Sequence, residues 1–225
     1  RSPLCGRNFE YFSEDPYLAG QLAAAFIQGV QRTSVAACVK HFAANSQENR
    51  QKAVNSILEE RTLREIYLPA FEQAVQAGVK AVMTSYNKVN GEYPAQNRHL
   101  SKEILRGGWG FQGVLATDWG AMDRVVPSIQ AGLDLQMPGD DGSSAAKIEA
   151  AVKCGDLSQE DLDASVERIL RLIAWQKEQA KKQPVETVTA QAGHALAAKI
   201  AKESIVLLKN QGNILPLDPS DSIAV

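Results

Sequence analysis

Short, almost wholly apolar runs alternate along this chain with segments whose apolar residues recur every three or four positions. Val35-Ala36-Ala37-Cys38-Val39, Val79 to Ser85 and Gly113 to Thr117 read as strands buried on both faces, and Leu133-Asp134-Leu135-Gln136-Met137 as a fourth. Between and around them lie helical patterns. Asp15-Pro16 starts one helix, with Asp15 as N-cap and Pro16 at the first helical position, and Leu18, Leu22, Phe26 and Val30 form its apolar stripe. A second runs from about Glu59 to Ala77, with Leu63, Ile66, Ala70, Phe71 and Ala74 on one face. Gly78 stops it, and Pro69 should kink it or split its register. Further helices are predicted over Ser101–Arg106, Met122–Ala131, Ser144–Cys154 and Gln159 to about Gln179, the last capped by Ser158-Gln159-Glu160-Asp161.

Buried strands exchanged with amphipathic helices mean parallel βα units, an α/β architecture. Four strands are half of what a (β/α)8 barrel needs. A polar stretch from Lys181 to Thr187 then reads as a linker, followed by a helix near Ala190–Glu203 and the strand-like Ile205-Val206-Leu207-Leu208. The chain opens Arg1-Ser2-Pro3 without Met and closes on Ser222-Ile223-Ala224-Val225, which reads as the start of a strand. Both ends suggest a piece of something longer.

Composition narrows the functional classes. The 225 residues are 44% hydrophobic and 22% charged, with 24 basic against 26 acidic side chains, a balance that gives no electrostatic reason to expect nucleic acid or an anionic membrane as partner. The longest uncharged stretch, Pro16 to Gln31, is shorter than the ~20 apolar residues of a bilayer span. Cys5, Cys38 and Cys154 fit neither a disulfide framework nor a zinc site, and His41, His99 and His194 form no metal-binding pair. The Asp140-Asp141 cluster between Gly139 and Gly142 lacks the spacing of a calcium loop, so turn chemistry is preferred.

In parallel α/β folds the functional side chains gather where strands end. The first strand runs into Lys40-His41, the second into Tyr86-Asn87 and the third into Asp118-Trp119, all on one rim. A cation, an imidazole, a phenol, a carboxylate and an indole suit a neutral polyhydroxylated ligand, the indole packing on a sugar's C–H face. Each residue alone has a plainer reading: Asp118 as a turn former or cap, Lys40 as a solvated charge, His41 as a hydrogen-bonded structural histidine. Trp109 and Phe111, set among glycines, read as packing for a tight loop. Lys40 could also serve a Schiff-base aldolase, with Arg50 and His41 available to lower its pKa.

Several strings carry a resemblance. Gly6-Arg7-Asn8-Phe9-Glu10-Tyr11-Phe12-Ser13-Glu14-Asp15-Pro16, Lys40-His41-Phe42-Ala43-Ala44-Asn45, Ser85-Tyr86-Asn87-Lys88-Val89-Asn90-Gly91, Trp109-Gly110-Phe111-Gln112-Gly113-Val114, Thr117-Asp118-Trp119-Gly120-Ala121 and Ala131-Gly132-Leu133-Asp134-Leu135-Gln136-Met137-Pro138-Gly139 resemble, in order, the signatures of glycoside hydrolase family 3, the β-glucosidase family. The tail Glu203–Asn210 with Ile214-Leu215-Pro216-Leu217 is similar to the beginning of that family's second domain.

The resemblance implies the C-terminal part of a (β/α)8 TIM-type barrel over residues 1–180, a linker over 181–190 and the start of an α/β sandwich domain over 191–225. It makes Asp118 the nucleophile of a retaining exo-acting β-glycosidase that needs no cofactor or metal. Arg7, Lys40, His41 and Arg50 would bind the hydroxyls of the non-reducing sugar, Tyr86 would lie beside the nucleophile, and Trp119 and Met83 would wall the pocket. Retention needs a second carboxyl group about 5–5.5 Å from the first to protonate the leaving oxygen. The family's acid/base comes from beyond this C-terminus, and Glu48, Glu10 and Asp134 are not promoted to that role. The family usually has Ser where this chain has Thr117. Phe42-Ala43-Ala44-Asn45-Ser46-Gln47-Glu48-Asn49-Arg50 is similar to the β-glucosidase branch, not to the N-acetylglucosaminidase branch, so glucose is the expected sugar, with xylose next. The rival expectation is an inactive fragment or one half of a split glycosidase. The free strand edges of a half-barrel call for a complementary chain or a homo-oligomer.

Overall fold

A computed structural model describes residues 3–182, 188–220 and 222, and these separate into two units that divide between residues 185 and 186. The first unit is built on three parallel strands, β1 (Cys38–Phe42), β3 (Ala81–Thr84) and β5 (Val114–Ala116), lying side by side in chain order; β2 (Asn55–Ser56) and β4 (Lys88–Val89) make a separate parallel pair. Register runs Cys38 to Ala81 to Val114 and Val39 to Val82 to Leu115. Parallel pairing with successive neighbours points all three C-terminal ends the same way.

The first strand starts later than the apolar run suggested. Ala37 accepts from Ala81 N–H at 3.1 Å, and β3 offers no partner before that point, so Val35 stays exposed and Lys40 and His41 fall inside β1. Val39 pairs with Val82 but Phe42 pairs with Thr84, so β1 carries one extra residue there. Lys40 and His41 are that bulge, opposite Met83. A bulge re-aims side chains, and these two diverge: Lys40 is exposed and His41 is 1% exposed. The fourth expected strand shrinks to one bridge, Leu135 to Ala116. Beyond it Thr117 takes Met137 through its hydroxyl, and Pro138 has no N–H with which to extend a ladder.

The helices largely fall where periodicity put them. In α1 (Pro16–Gln31) Asp15 caps the first turn, accepting from Tyr17 and Leu18 N–H at 2.7 and 3.3 Å. Its expected stripe is corrected, however. Gly20, Ala23 and Ile27 are buried, while Leu18, Leu22 and Phe26 are exposed. The reason is close approach: a Cβ on Gly20 would lie 2.4 Å from the Gln73 amide of α3, so α1 docks through its small residues. A groove of about 440 Å³ remains between α1, β1 and α3, bordered by Phe12, Phe26, Val39 and Phe71.

The long helix expected over 59–77 is split. After α2 (Glu60–Thr62) comes a π-turn at Leu63–Tyr67, and α3 (Pro69–Gln76) restarts at the proline, whose missing N–H cannot continue the ladder. Leu63, Phe71 and Ala74 are buried, but Ile66 is exposed. The 99–108 segment is also a π-helix (His99–Gly108). Then follow α4 (Val125–Gln130), α5 (Ser143–Cys154), stopped by Gly155 at φ +85°, and α6 (Gln159–Lys182). Phe42 lies at the centre of the main core, its ring 5.2 Å from Phe71 and 6.1 Å from Trp109. Burying one such side chain is worth about 1.5–3 kcal/mol.

In the second unit α7 (Ala190–Ser204) is capped by Thr189, whose hydroxyl accepts from Ala192 N–H at 3.2 Å. Ile205–Leu208 is exposed and is not a strand, because no other strand in the described part of this unit offers it a ladder. Of the expected linker, Lys181 and Lys182 belong to α6, and residues 183–187 lie outside the described residues, as do 223–225 of the expected terminal strand. No described helix is long and apolar enough to cross a membrane.

Candidate active site

The C-terminal rim of the three strands gathers most of the residues singled out above. β5 delivers Asp118 two residues past its end, with the carboxylate mostly buried. Asp118 Oδ1 accepts from Trp119 N–H at 2.7 Å, while Oδ2 is buried, carries no hydrogen bond among the described residues and lies 3.2 Å from His41 Nε2. Thr117 makes this turn rigid. Its hydroxyl accepts from Met137 N–H at 2.8 Å and lies 3.2 Å from Met137 C=O, and its own N–H donates to Leu135 at 2.9 Å.

The loop before α1 folds over β1. Arg7 Nη2 lies 3.2 Å from His41 Nε2, and Tyr11 Oη lies 3.3 Å from His41 Nδ1. Glu10 sits among the cations, 2.5 Å from Arg7 Nε and 3.0 Å from Lys40 Nζ, with Oε1 3.8 Å from His41 Nδ1. Burial works against the Glu10 charge, but hydrogen bonds from Lys40 and Arg7 outweigh it and hold its pKa below the ordinary carboxylate range. His41 is pushed down to about 4, chiefly by burial and then by the charges of Lys40 and Arg7, against the opposing pull of Asp118 and Glu10. At neutral pH its ring is therefore uncharged.

Tyr86 follows β3 and donates to Trp119 C=O at 3.0 Å. Burial and the adjacent Asp118 charge raise its pKa. Lys52 Nζ stands 5.4 Å from the Tyr86 ring centre and 3.4 Å from Gly120 C=O. Trp119 is two-thirds exposed, an open indole at the rim. Met83 is half-buried in β3 opposite the bulge.

Arg7, Lys40, His41, Tyr86, Asp118 and Trp119 thus form one cluster. Arg50 does not join it by any hydrogen bond or ion pair among the described residues. It is exposed at φ +55° in the 43–54 loop, where its C=O accepts from Ala53 and Val54. Lys40, 41% exposed and paired with Glu10, is not the desolvated amine that Schiff-base chemistry requires. Glu10, Tyr11 and Lys52 are members that sequence reasoning did not place. The one available signal for Glu10 was its i,i+3 spacing from Arg7. Asp140 caps α5, accepting from Gly142 and Ser144 N–H, and is held down to about 2 chiefly by its hydrogen bonding to Ser144. Among the described residues no group of His, Cys, Asp and Glu could hold a metal ion.

A mostly buried carboxylate with one free oxygen, flanked by a neutral imidazole, a guanidinium, an ammonium and an open indole, can grip hydroxyls and present a nucleophile on the same rim.

The chain as a whole is similar to known proteins. The chain is 51% identical over its whole length to the thermostable beta-glucosidase B of Acetivibrio thermocellus, and 47% identical to a beta-glucosidase of Rhizobium radiobacter, spanning 30% and 28% of their lengths. It superposes on beta-glucosidase 3B of Thermotoga neapolitana in complex with glycerol with a TM-score of 0.89 at 43% identity, covering 97% of this chain and 32% of that one. The beta-glucosidase of Kluyveromyces marxianus in complex with glucose gives a TM-score of 0.89 at 39% identity, over 98% of this chain and 28% of that one. The chain therefore spans less than a third of the relatives it matches. Residues 1–172 match the glycosyl hydrolase family 3 N-terminal domain, and with these relatives the match establishes that the chain belongs to glycosyl hydrolase family 3.

Proposed function

We propose that this chain carries the nucleophile side of the glucose site of a retaining, exo-acting β-glucosidase. The observation that carries the reading is the position of Asp118 at the end of β5, with Oδ2 free of hydrogen bonds and 3.2 Å from His41 Nε2, on which Arg7 also converges. In this reading an Asp118 oxygen attacks the anomeric carbon as the bond to the aglycone oxygen breaks. Water later hydrolyses the glycosyl ester, and both steps pass through oxocarbenium-like states. Arg7, Lys40 and His41 bind sugar hydroxyls, contacts that tighten as positive charge develops, while Trp119 stacks on the ring and Met83 closes the wall beside it. Tyr86 sits next to the nucleophile. Arg50, exposed in the 43–54 loop, is read as a further hydroxyl-binding residue.

Glu10 is unsuited to be the acid/base. Its pairing with Arg7 and Lys40 keeps it ionised, whereas the acid must hold a proton. That role we assign to a residue beyond this chain. We further read residues 1–180 as the C-terminal part of a TIM-type barrel, 181–190 as a linker and 191–225 as the start of a sandwich domain. Glucose as the sugar is supported by the glucose named in the Kluyveromyces marxianus complex.

The test is intact mass after incubation with a 2-deoxy-2-fluoro-glucoside bearing a dinitrophenolate, a leaving group that departs without acid assistance. One adduct on Asp118, absent in Asp118→Asn, is the expected result; an adduct on another residue would sink the assignment. A second reading is favoured by one feature, the outer edge of β1, which has no strand partner among the described residues. In that reading the chain is inactive until a complementary chain or second copy pairs there. A folded monomer by size-exclusion chromatography that still forms the adduct would remove it.

A further inference from the structure

His41 is neutral, so its ring carries one proton for two nitrogens, and the surroundings pull that proton both ways. Nε2 faces Arg7 Nη2 and Asp118 Oδ2, each at 3.2 Å. A guanidinium only donates, so its bond requires a lone pair on Nε2 and the proton on Nδ1. The Asp118 carboxylate only accepts and favours the opposite tautomer. On the other side, Nδ1 faces Tyr11 Oη at 3.3 Å and Glu10 Oε1 at 3.8 Å. Glu10 acts on both nitrogens. Its charge stabilises a proton on Nδ1, and its 2.5 Å pair with Arg7 Nε aims the guanidinium at Nε2.

We infer that Glu10 is a positioning residue that fixes His41 as the Nδ1–H tautomer, leaving Nε2 as the acceptor for Arg7 and Asp118 Oδ2 without a histidine hydrogen bond. The lack of any hydrogen bond on Oδ2 agrees with this. Its consequence for catalysis rests on the glycosidase reading. A ring protonated at Nε2 would donate to Asp118, blunting the nucleophile, and would lose the hydrogen bond from Arg7.

The experiment is a long-range proton–nitrogen NMR spectrum of the imidazoles at neutral pH. His41 is assigned by subtraction with His99→Gln and His194→Gln. Nδ1–H is expected in the wild type, with a shift toward Nε2–H in Glu10→Gln and no shift in Glu10→Asp. Trapping by the fluoro-glucoside should slow about 10–100-fold in Glu10→Gln, as expected when the partner that orients a functional imidazole is lost. Nε2–H in the wild type, or an unchanged tautomer in Glu10→Gln, overturns the inference. Should Glu10→Gln not fold, Arg7→Met, which removes the guanidinium that Glu10 aims at Nε2, is read in the same way, and an unchanged tautomer there overturns the inference. If the wild type shows Nδ1–H but is never trapped, the chain does not build the sugar site alone, and the tautomer assignment stands.

Discussion

His41 and His99 show how position decides the chemistry of one residue type. His41 is buried among cations and falls to about 4; His99 is raised by its hydrogen bond to Glu103 and, against partial burial, by Glu60. The signs for stability are opposite. Between about pH 6.5 and 4 the unfolded chain binds a proton that folded His41 refuses, so stability falls as pH drops through that window. The His99 contribution is fully present below its ordinary pKa and is lost as pH rises through the raised one. It is screened by exposure, so the His41 effect should dominate. We expect Tm to decline from pH 6.5 to 4, with less decline in His41→Gln, measured by thermal melts in matched ionic strength. That His41 would be buried and neutral was not legible from Lys40-His41 alone. It depends on the bulge and on a loop 30 residues upstream, and only the family strings hinted at that convergence.

At the scale of elements, Thr117 links β5 to the Leu135–Pro138 segment through both sides of its hydroxyl. The departure from the family's usual serine is thereby explained, since serine and threonine share the hydroxyl. Thr117→Val, of nearly equal shape, leaves Met137 N–H without its acceptor and should cost about 1–3 kcal/mol in urea unfolding, while Thr117→Ser costs little. The elements themselves were readable where local chemistry dictates them, as at Asp15, Pro69, Gly78 and Gly155. They were misread where a neighbour decides. The buried side of α1 follows from the closeness of Gln73, and the start of β1 follows from the position of Ala81. Hydrophobic periodicity cannot report either, because large exposed and large buried side chains share one alphabet.

One buried carboxylate ties together three elements of the first unit that are distant in sequence. Asp134, whose side chain has no exposure, accepts from Leu115 N–H at 2.7 Å, Arg106 at 2.7 Å and Arg168 at 2.6 Å, tying β5, the 99–108 helix and α6. Burial raises its pKa despite the two guanidiniums, so desolvation opposes the charge that they and Leu115 N–H favour. Asp134→Ala strands two mostly buried cations and should destabilise by about 3 kcal/mol in chemical denaturation. Arg106→Met with Asp134→Leu should cost less than the single change. In the sequence Asp134 looked like one polar residue within a strand. Its partners lie 28 and 34 residues away in opposite directions, a separation that no local pattern encodes.

The extra residue in β1 has an evolutionary corollary. A strand's side chains change face with every residue, so deleting one position between Val39 and Phe42 would mend the ladder with β3 and turn His41 away from Asp118. Chain length in that stretch therefore decides which residue faces Asp118. In the 43–54 loop that follows, Ala43, Ala44 and Asn45 are buried and Lys52 reaches the site, so only the exposed stretch around Arg50 leaves room for the chain to change.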